Sequence, residues 1–342
     1  MWTRSTALLV VAVLAVTCGG AGSSTGSGTA TPTPATPLSV SAPVRYFPPG
    51  ATWTTSVAGA AVDPRSAEII SWLDARGWGL GRFQIDFDLE VLRADAQTPR
   101  RTFDTTDDFF EPDCDEVPMP VPAVGNLEGE KGYACEGDGD CHFIVVDEPG
   151  RRLYEMWRAD IRGSRFLGGC LAVWDLSRVY GPNGRGLRCT SADAAGYPIA
   201  PLLFTADEVA AGHIDHAVRF ILPNSSIRRG EFVAPATHGT SATSGPASAP
   251  PYGAHLRLRA DFRLARLPNE PARVLARALQ TYGMFLADGG NVALTAQADT
   301  YTQAKWARLL GSRDLDFIRP SDFEVIQMPA PVSLRGDCVR EP

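Results

Sequence analysis

Residues 82–92 constrain the fold most strongly, because apolar and polar side chains alternate there without interruption. A period of two residues places the apolar side chains on one face of a β-strand and the polar ones on the opposite face. The apolar face, which we expect to pack in a core, consists of Phe83, Ile85, Phe87, Leu89 and Val91. The polar face presents Gln84, Asp86, Asp88 and Glu90.

Short segments of similar character recur along the chain and are separated by turn residues. They cover residues 142–147, 152–157, 170–176, 216–222, 254–264 and 291–296. The chain contains 33 glycines and 27 prolines, which favours many turns. Strands and helices do not alternate regularly, so a doubly wound parallel sheet is not expected. The pattern predicts a mainly β fold, an antiparallel β-sandwich or jelly roll with a few appended helices.

Four segments carry helix signals. Asp63-Pro64 has the residues of a helix start, and Gly77 is suited to end that helix. Thr205 and Glu208 have the spacing of a capping box, which predicts a short helix as far as Gly212. The longest helix is expected from residue 269 to the glycines at 289–290, and the last over residues 303–310.

The N-terminus has the pattern of an export signal. Arg4 is followed by an unbroken apolar run over residues 7–16, which is too short to span a bilayer. The segment ending at Cys18 resembles the cleavage site of bacterial lipoproteins, although Thr17 stands where Gly or Ala is usual. Cleavage by the ordinary signal peptidase, for example after Ala21, is the alternative and would give a secreted protein.

The residues after Cys18 have the composition of a flexible tether. Residues 19–37 are almost entirely Gly, Ser, Thr, Ala and Pro, which bury little apolar surface. We therefore expect a signal peptide over residues 1–17, a lipid-anchor cysteine with its linker over 18–42, and one extracytoplasmic domain over 43–342. The membrane would be contacted through the lipid only.

Six cysteines follow Cys18, an even number that predicts three disulfides outside the cytoplasm. The expected pairs are Cys170–Cys189, Cys135–Cys141 and Cys114–Cys338. No CxxC pair is present, so a zinc site is disfavoured, and we expect neither a metal nor a cofactor. A formal net charge of −7 without a basic patch argues against a nucleic-acid partner.

Carboxylates on the polar face of residues 82–92 are the leading candidates for catalysis. Neighbours on one face of a strand lie about 6.6 Å apart, and glycoside hydrolysis uses two carboxyl groups about 5–9.5 Å apart. The candidate catalytic residues are Asp86, Glu90, Glu155 and Asp193. The alternative interpretation is an ordinary solvent-facing side of a half-exposed sheet.

A second set of residues is predicted to hold the substrate. Aromatic rings can stack on sugar rings, and a histidine beside a carboxylate can transfer protons. Asp288 stands near a predicted helix C-terminus, where the helix dipole disfavours a carboxylate, and this indicates a specific partner. The set consists of Gln84, His142, Trp157, Trp174, Tyr282 and Asp288.

Four segments of the sequence, taken together, carry a resemblance to other proteins. They are RFQIDFDLEVL at 82–92, RLYEMW at 152–157, SADAAGYPIAPLLFTADEVAAG at 191–212 and YGMFLADGG at 282–290. In combination they resemble a group of secreted bacterial proteins. The resemblance implies a coherent secreted domain and no particular reaction.

Three functions follow as hypotheses. The first is a glycoside hydrolase that acts on a cell-wall or environmental polysaccharide with paired carboxylates. The second is a non-enzymatic surface lipoprotein that binds a glycan or a protein. The third is a polysaccharide lyase with His142 or Tyr282 as the base. The sequence leaves the oligomeric state open.

Overall fold

The computed structural model describes residues 46–137 and 139–341. The predicted signal peptide, the lipidation at Cys18 and the linker to residue 42 lie outside the described residues. Within the described ranges, no helix has the length and apolar character needed to cross a membrane.

Three α-helices are present in the described part of the chain: α1 (Ser66–Asp74), α2 (Ala206–Ala211) and α3 (Glu270–Thr281). The capping box of α2 is confirmed, since Thr205 and Glu208 each bond the backbone of the other. That helix ends at Gly212, which adopts a left-handed conformation with φ of 88°. Asp63 accepts a hydrogen bond from the amide of Arg65 at 2.8 Å, just before α1 begins.

The prediction of one long helix from residue 269 to residue 289 is wrong. Helix α3 ends at Thr281, and Gly283, with φ of 71°, turns the chain into a strand. The segment MFLADG that follows is that strand, and its first four residues are buried. The apolar run at residues 284–287 is too short for its sequence alone to distinguish a buried strand from a buried helix. The helix expected over residues 303–310 is reduced to a single 3₁₀ turn at Trp306–Arg308.

Nineteen short strands make up the rest of the regular structure that is described. In chain order they are β1 (Ile85–Leu89), β2 (Val91–Ala94), β3 (Arg100–Arg101), β4 (Asp104–Thr105), β5 (Met119–Pro120), β6 (Phe143–Asp147), β7 (Arg152–Trp157), β8 (Asp160–Arg162), β9 (Arg165–Gly168), β10 (Cys170–Asp175), β11 (Gly186–Leu187), β12 (Val218–Leu222), β13 (Glu231–Phe232), β14 (His255–Leu258), β15 (Met284–Gly289), β16 (Leu294–Gln297), β17 (Phe323–Val325), β18 (Val332–Ser333) and β19 (Val339–Arg340).

Two sheets dominate the domain. One has six strands in the order β1-β16-β12-β15-β14-β17, and the other has four in the order β10-β7-β6-β2. The predicted mainly β class with a few helices is confirmed. Both sheets are mixed, because the pairs β1–β16, β12–β15 and β2–β6 are parallel. Two of the predicted strand segments, 142–147 and 152–157, form an antiparallel hairpin as β6 and β7, and β10 pairs with β7.

The four-stranded sheet is buried on both faces. One face, with Ile144, Val146, Leu153 and Trp174, contributes to the large core that also contains the six-stranded sheet. The other face, with Phe143, Val145, Met156 and Leu171, closes a second and smaller core. Because side chains alternate along a strand, Glu155 of β7 points toward the large core.

The predicted single strand over residues 82–92 is divided between the two sheets. Strand β1 belongs to the six-stranded sheet and β2 to the four-stranded sheet, with Glu90 between them. The pairing of β1 with β16 also shifts by one residue between Asp86 and Leu89. A bulge of this kind rotates the residues beyond it onto the other face. The expected carboxylate ladder of Asp86, Asp88 and Glu90 is therefore interrupted.

The Cys135–Cys141 disulfide is confirmed, and the other two predicted pairings are wrong. The observed bonds are Cys114–Cys170 and Cys189–Cys338. Asp115 donates its amide hydrogen to the carbonyl of Leu171 at 2.8 Å, which brings Cys114 beside Cys170. Strands β11 and β19 pair antiparallel and bring Cys189 to the C-terminal segment. Spacing in sequence favoured Cys170–Cys189 as a local pair and left Cys114 and Cys338 for each other, and it could not reveal either contact.

The lengths of the closed loops predict unequal contributions of the disulfides. Cys189–Cys338 spans 149 residues of sequence, whereas Cys135–Cys141 spans 6. The chain-entropy relation gives about 5 kcal/mol for the first and about 2 kcal/mol for the second. We expect C189A/C338A to lose more free energy of unfolding in urea than C135A/C141A. Equal losses in the two double variants would contradict this account.

Candidate active site

Arg219 lies near the middle of the six-stranded sheet, although its strand β12 is otherwise apolar. The register aligns Asp86 with Thr295 across β1 and β16, and Phe220 with Leu294 across β12 and β16. Arg219 is therefore the neighbour of Thr295, and its Nη1 donates to the Thr295 hydroxyl at 3.0 Å. Asp86, Thr295 and Arg219 form a polar row across three adjacent strands.

Two carboxylates share the guanidinium of Arg219. Its Nη2 lies 2.5 Å from Oδ1 of Asp193 and 3.7 Å from Oδ2 of Asp288. The Arg219 and Asp193 side chains are 4% and 0% exposed, whereas the side chain of Asp288 keeps 21% of its surface exposed. A charge buried so completely is stable only when it is paired. Asp288 is the member of this trio that a substrate can reach.

A register shift turns Asp288 toward Arg219. Phe220 pairs with Leu286, but the next residue, Ile221, pairs with Asp288 instead of Ala287. Without this shift, Asp288 would lie on the same face as Leu286 and point away from Arg219. The carbonyl of the extra residue, Ala287, accepts a hydrogen bond of 2.9 Å from Ala195, which ties the Asp193 loop to this point.

Within the described residues, two hydrogen-bonding atoms of the Arg219, Asp193 and Asp288 side chains have no partner. Oδ2 of Asp193 and Nε of Arg219 are both buried and have no hydrogen-bond partner. Buried polar atoms almost always have a partner, either a protein group or ordered water. An acceptor and a donor are thus available in the floor of the site.

Asp288, beside Arg219, and Asp86, two strands away on β1, have raised pKa values. Burial, followed by the nearby charge of Asp193, raises the pKa of Asp288 to about 7, and Arg219 counteracts part of this. Burial, followed by the charge of Asp88, raises the pKa of Asp86 to about 6. Burial also raises the pKa of Asp193, and here again Arg219 opposes the shift. Asp86 and Asp288 can therefore exchange protons near neutral pH.

His142 is held between two oxygen acceptors. Its Nδ1 lies 2.6 Å from Oε2 of Glu128, and its Nε2 lies 2.9 Å from the carbonyl oxygen of Ala192. Both ring nitrogens must carry a proton to donate, so the ring is an imidazolium. Burial, the largest single effect, would lower its pKa, but the charge and hydrogen bond of Glu128, together with Asp140 and the Ala192 carbonyl, outweigh burial and raise the pKa of His142 to about 9.

Glu155 and Trp174 lie inside the large core. The Glu155 carboxylate accepts hydrogen bonds from the amides of Ile199 and Ala200, each at 2.8 Å, and from Trp174 Nε1 at 3.1 Å. Both side chains are completely buried. Glu155 therefore anchors the 3₁₀ turn at Ala200–Leu202 to β7, and Trp174 presents no ring surface to a sugar.

The remaining predicted site residues are dispersed. Glu90 is buried where β1 and β2 meet, and its Oε1 accepts hydrogen bonds from Asn126 and Thr300. Gln84 precedes β1 and is half-buried, and Tyr282 caps α3 with its carbonyl bonded to His255. Trp157 is half-buried, donates to Asp140 at 2.9 Å and has Arg158 over its ring at 4.7 Å.

Asp86, Asp193, His142 and Asp288 were candidates from the sequence, but Arg219, which pairs with Asp193 and approaches Asp288, was not. Arg219 had a signal, since an arginine inside an otherwise apolar strand is buried only when it is paired. Glu128 had none, because it lies in an irregular segment far from His142 in the sequence.

One group of potential metal ligands was found among residues 46–137 and 139–341: Glu130, Cys135 and Cys141. The two cysteines form a disulfide and cannot act as thiolate ligands. This group is therefore not a metal site.

Comparisons with protein-family models, with curated proteins and with solved structures found no match to this chain. The functional argument therefore depends on the geometry and charge of the site.

The His142–Glu128 pair predicts a pH-dependent stability. A histidine whose folded pKa is raised from 6.5 to about 9 stabilises the fold fully below pH 6.5 and loses this effect as pH rises through 9. We expect the free energy of unfolding to fall by on the order of 3 kcal/mol over this interval on account of His142. The measurement is urea unfolding at a series of pH values.

Two variants isolate that contribution. H142Q should reduce the fall in the free energy of unfolding by the amount assigned to the His142–Glu128 pair. The remaining fall includes the contribution of His216, because Glu208 raises the pKa of that histidine despite its burial. H213N is the control, because His213 is half-exposed and its partner is an equally exposed Asp215. An H142Q profile parallel to that of the wild type would contradict the assignment.

Proposed function

We propose that the protein is a glycoside hydrolase in which Asp288 is the general acid and Asp86 is the general base. The observation that carries the proposal is the placement of two partly exposed carboxyl groups with raised pKa values on either side of Arg219. Glycosidases require one protonated and one ionised carboxyl group that flank the scissile bond.

Asp288 is suited to donate a proton to the leaving oxygen. With a pKa of about 7, a large fraction of it remains protonated near neutral pH. Its Oδ1 already accepts a hydrogen bond from the amide of Gly289 at 2.6 Å, which fixes the carboxyl group. A general acid is most effective when its pKa lies near the working pH.

Asp86 is suited to activate water. Its pKa of about 6 leaves it mainly ionised when Asp288 is still partly protonated. Three strand spacings of about 4.8 Å separate the backbones of Asp86 and Asp288, with Thr295 and Arg219 between them. Inverting enzymes hold their two carboxyl groups about 6.5–9.5 Å apart, with a water molecule between base and sugar. The proposal therefore requires the side chains of Asp86 and Asp288 to reach toward each other over Thr295 and Arg219.

Asp193 and Arg219 are positioning residues in this proposal. Asp193 is completely buried, and its Oδ1 accepts a hydrogen bond from Arg219. It holds Arg219 in place, and Arg219 lies close enough to Asp288 to stabilise the carboxylate that forms when the proton is given up. Glu155, Glu90 and Trp174 have structural roles in this scheme and no part in the chemistry.

His142 is not suited to act as the base of a polysaccharide lyase. Both of its ring nitrogens are engaged as donors, so it has no free lone pair to accept a proton. This observation disfavours the lyase that relies on His142 relative to the hydrolase.

We also propose that the domain works outside the cytoplasm, tethered by a lipid on Cys18, and acts on a polysaccharide or oligosaccharide. Three disulfides support an oxidising compartment. The tether rests on the sequence pattern around Cys18 alone.

The test is the release of reducing ends from a panel of soluble polysaccharides. We expect D288N and D86N each to lower kcat by about 10²–10⁴-fold, because each removes a proton-transfer group. The conservative amide preserves shape, and both variants should unfold at urea concentrations close to that of the wild type.

D261N is the matched control, since the Asp261 side chain is 80% exposed and lies outside the site. It should retain full activity. Turnover that survives in both D288N and D86N would refute the assignment. Absence of turnover on every polysaccharide, with binding to one of them retained, would instead favour the glycan-binding lipoprotein.

A further inference from the structure

We infer that the ligand of this site is a glycan that carries free amino groups, such as a polymer of glucosamine. The inference deepens the proposed function and rests on it for the location of the site. Its basis is the excess of carboxylates around Arg219, together with unused buried hydrogen-bonding atoms beneath them.

Backbone contacts place the acidic side chains in one continuous region. The carbonyl of Asp88 accepts a hydrogen bond from the amide of Gly129 at 3.4 Å, and the amide of Glu128 bonds the carbonyl of His142 at 3.0 Å. Asp140 lies two residues before His142 and is fixed by Trp157 Nε1 at 2.9 Å. The carboxylates of the region are Asp86, Asp88, Glu128, Asp140, Asp193 and Asp288.

The cations of this region are already engaged. Arg219 is bonded to Asp193, and His142 is bonded to Glu128. The nearby Arg158 is directed to Asp108, with 2.9 Å between Nη1 and Oδ2. Asp86, Asp88 and Asp140 have no ion-pair partner among the described residues, and the last two are exposed. The rim of the site therefore carries uncompensated negative charge.

The floor of the site offers a second and independent observation. Oδ2 of Asp193 is an acceptor on a side chain with 0% exposure, and it has no partner in the described part of the molecule. It lies beside Asp288, because both carboxylates approach the same nitrogen of Arg219. A buried acceptor left open is satisfied by a donor from outside the protein, either water or a ligand.

Charge decides which class of glycan fits. A protonated amine brings three donors and a positive charge to a rim whose side chains Asp86, Asp88 and Asp140 are carboxyl groups without an ion-pair partner among the described residues. A neutral glycan supplies hydroxyl donors without the charge, and an anionic glycan is repelled. Complementary charge of this kind governs discrimination between ligands more than it governs total affinity.

The experiment compares three probes of equal length by calorimetric titration of the complete domain. They are a β-1,4-linked glucosamine hexamer, the same hexamer after full N-acetylation, and cellohexaose. We expect the glucosamine hexamer to bind at least about 10-fold more tightly than either neutral probe at low salt, and the preference to shrink at 0.5 M salt.

The variant D88N/D140N tests the rim directly. Because the variant removes both exposed rim charges, it should lose roughly 10-fold of the preference for the glucosamine hexamer. D261N should keep the preference in full. Equal affinity for the three probes, tighter binding of a neutral probe, or no binding of the glucosamine hexamer would each overturn the inference.

The outcome also separates this inference from the proposed hydrolysis. Cleavage of neutral glycans without preference for the amino glycan would leave the hydrolase in place and overturn the inference. Preferred, rim-dependent binding of the glucosamine hexamer without any cleavage would support the inference and refute the hydrolase.

Discussion

The site depends on the burial of one guanidinium in the middle of the six-stranded sheet. Arg219 is stable there because Asp193, Asp288 and Thr295 surround it with oxygen atoms. The same pairing fixes the loop that carries Asp193, and Ala195 of that loop bonds β15 where Asp288 turns toward the cation. Removal of Arg219 or of Asp193 would leave the charge of the other buried without compensation, which typically costs about 3–5 kcal/mol. Structure and proposed chemistry therefore depend on the same contact.

Two register shifts give the sheet its functional face. One lies just after Asp86 in β1, and the other places Asp288 opposite Ile221. Bulges of this type are frequent next to active sites, because they redirect a side chain without changing the rest of the strand. The shift in β15 turns Asp288 toward Arg219 at the end of the polar row, and the shift in β1 lies just beyond Asp86 at the other end.

The sequence predicted much of the local structure and little of its assembly. The hairpin of β6 and β7 and the capping box at Thr205 were predictable, because their determinants lie within a few residues of each other. The division of residues 82–92 between two sheets was not, since alternation continues through Glu90 regardless of the partner strand. Pairings such as Cys189–Cys338 depend on contacts between distant segments and leave no local signal.

The central claim is that burial, together with a neighbouring carboxylate, raises the pKa values of Asp86 and Asp288 toward neutral pH. Carbon-13 NMR titration of the aspartate carboxyl groups measures this directly, with D86N and D288N used to assign the two signals. The account predicts midpoints near 6 for Asp86 and near 7 for Asp288. Midpoints close to the ordinary value of about 3.9 for both residues would contradict it.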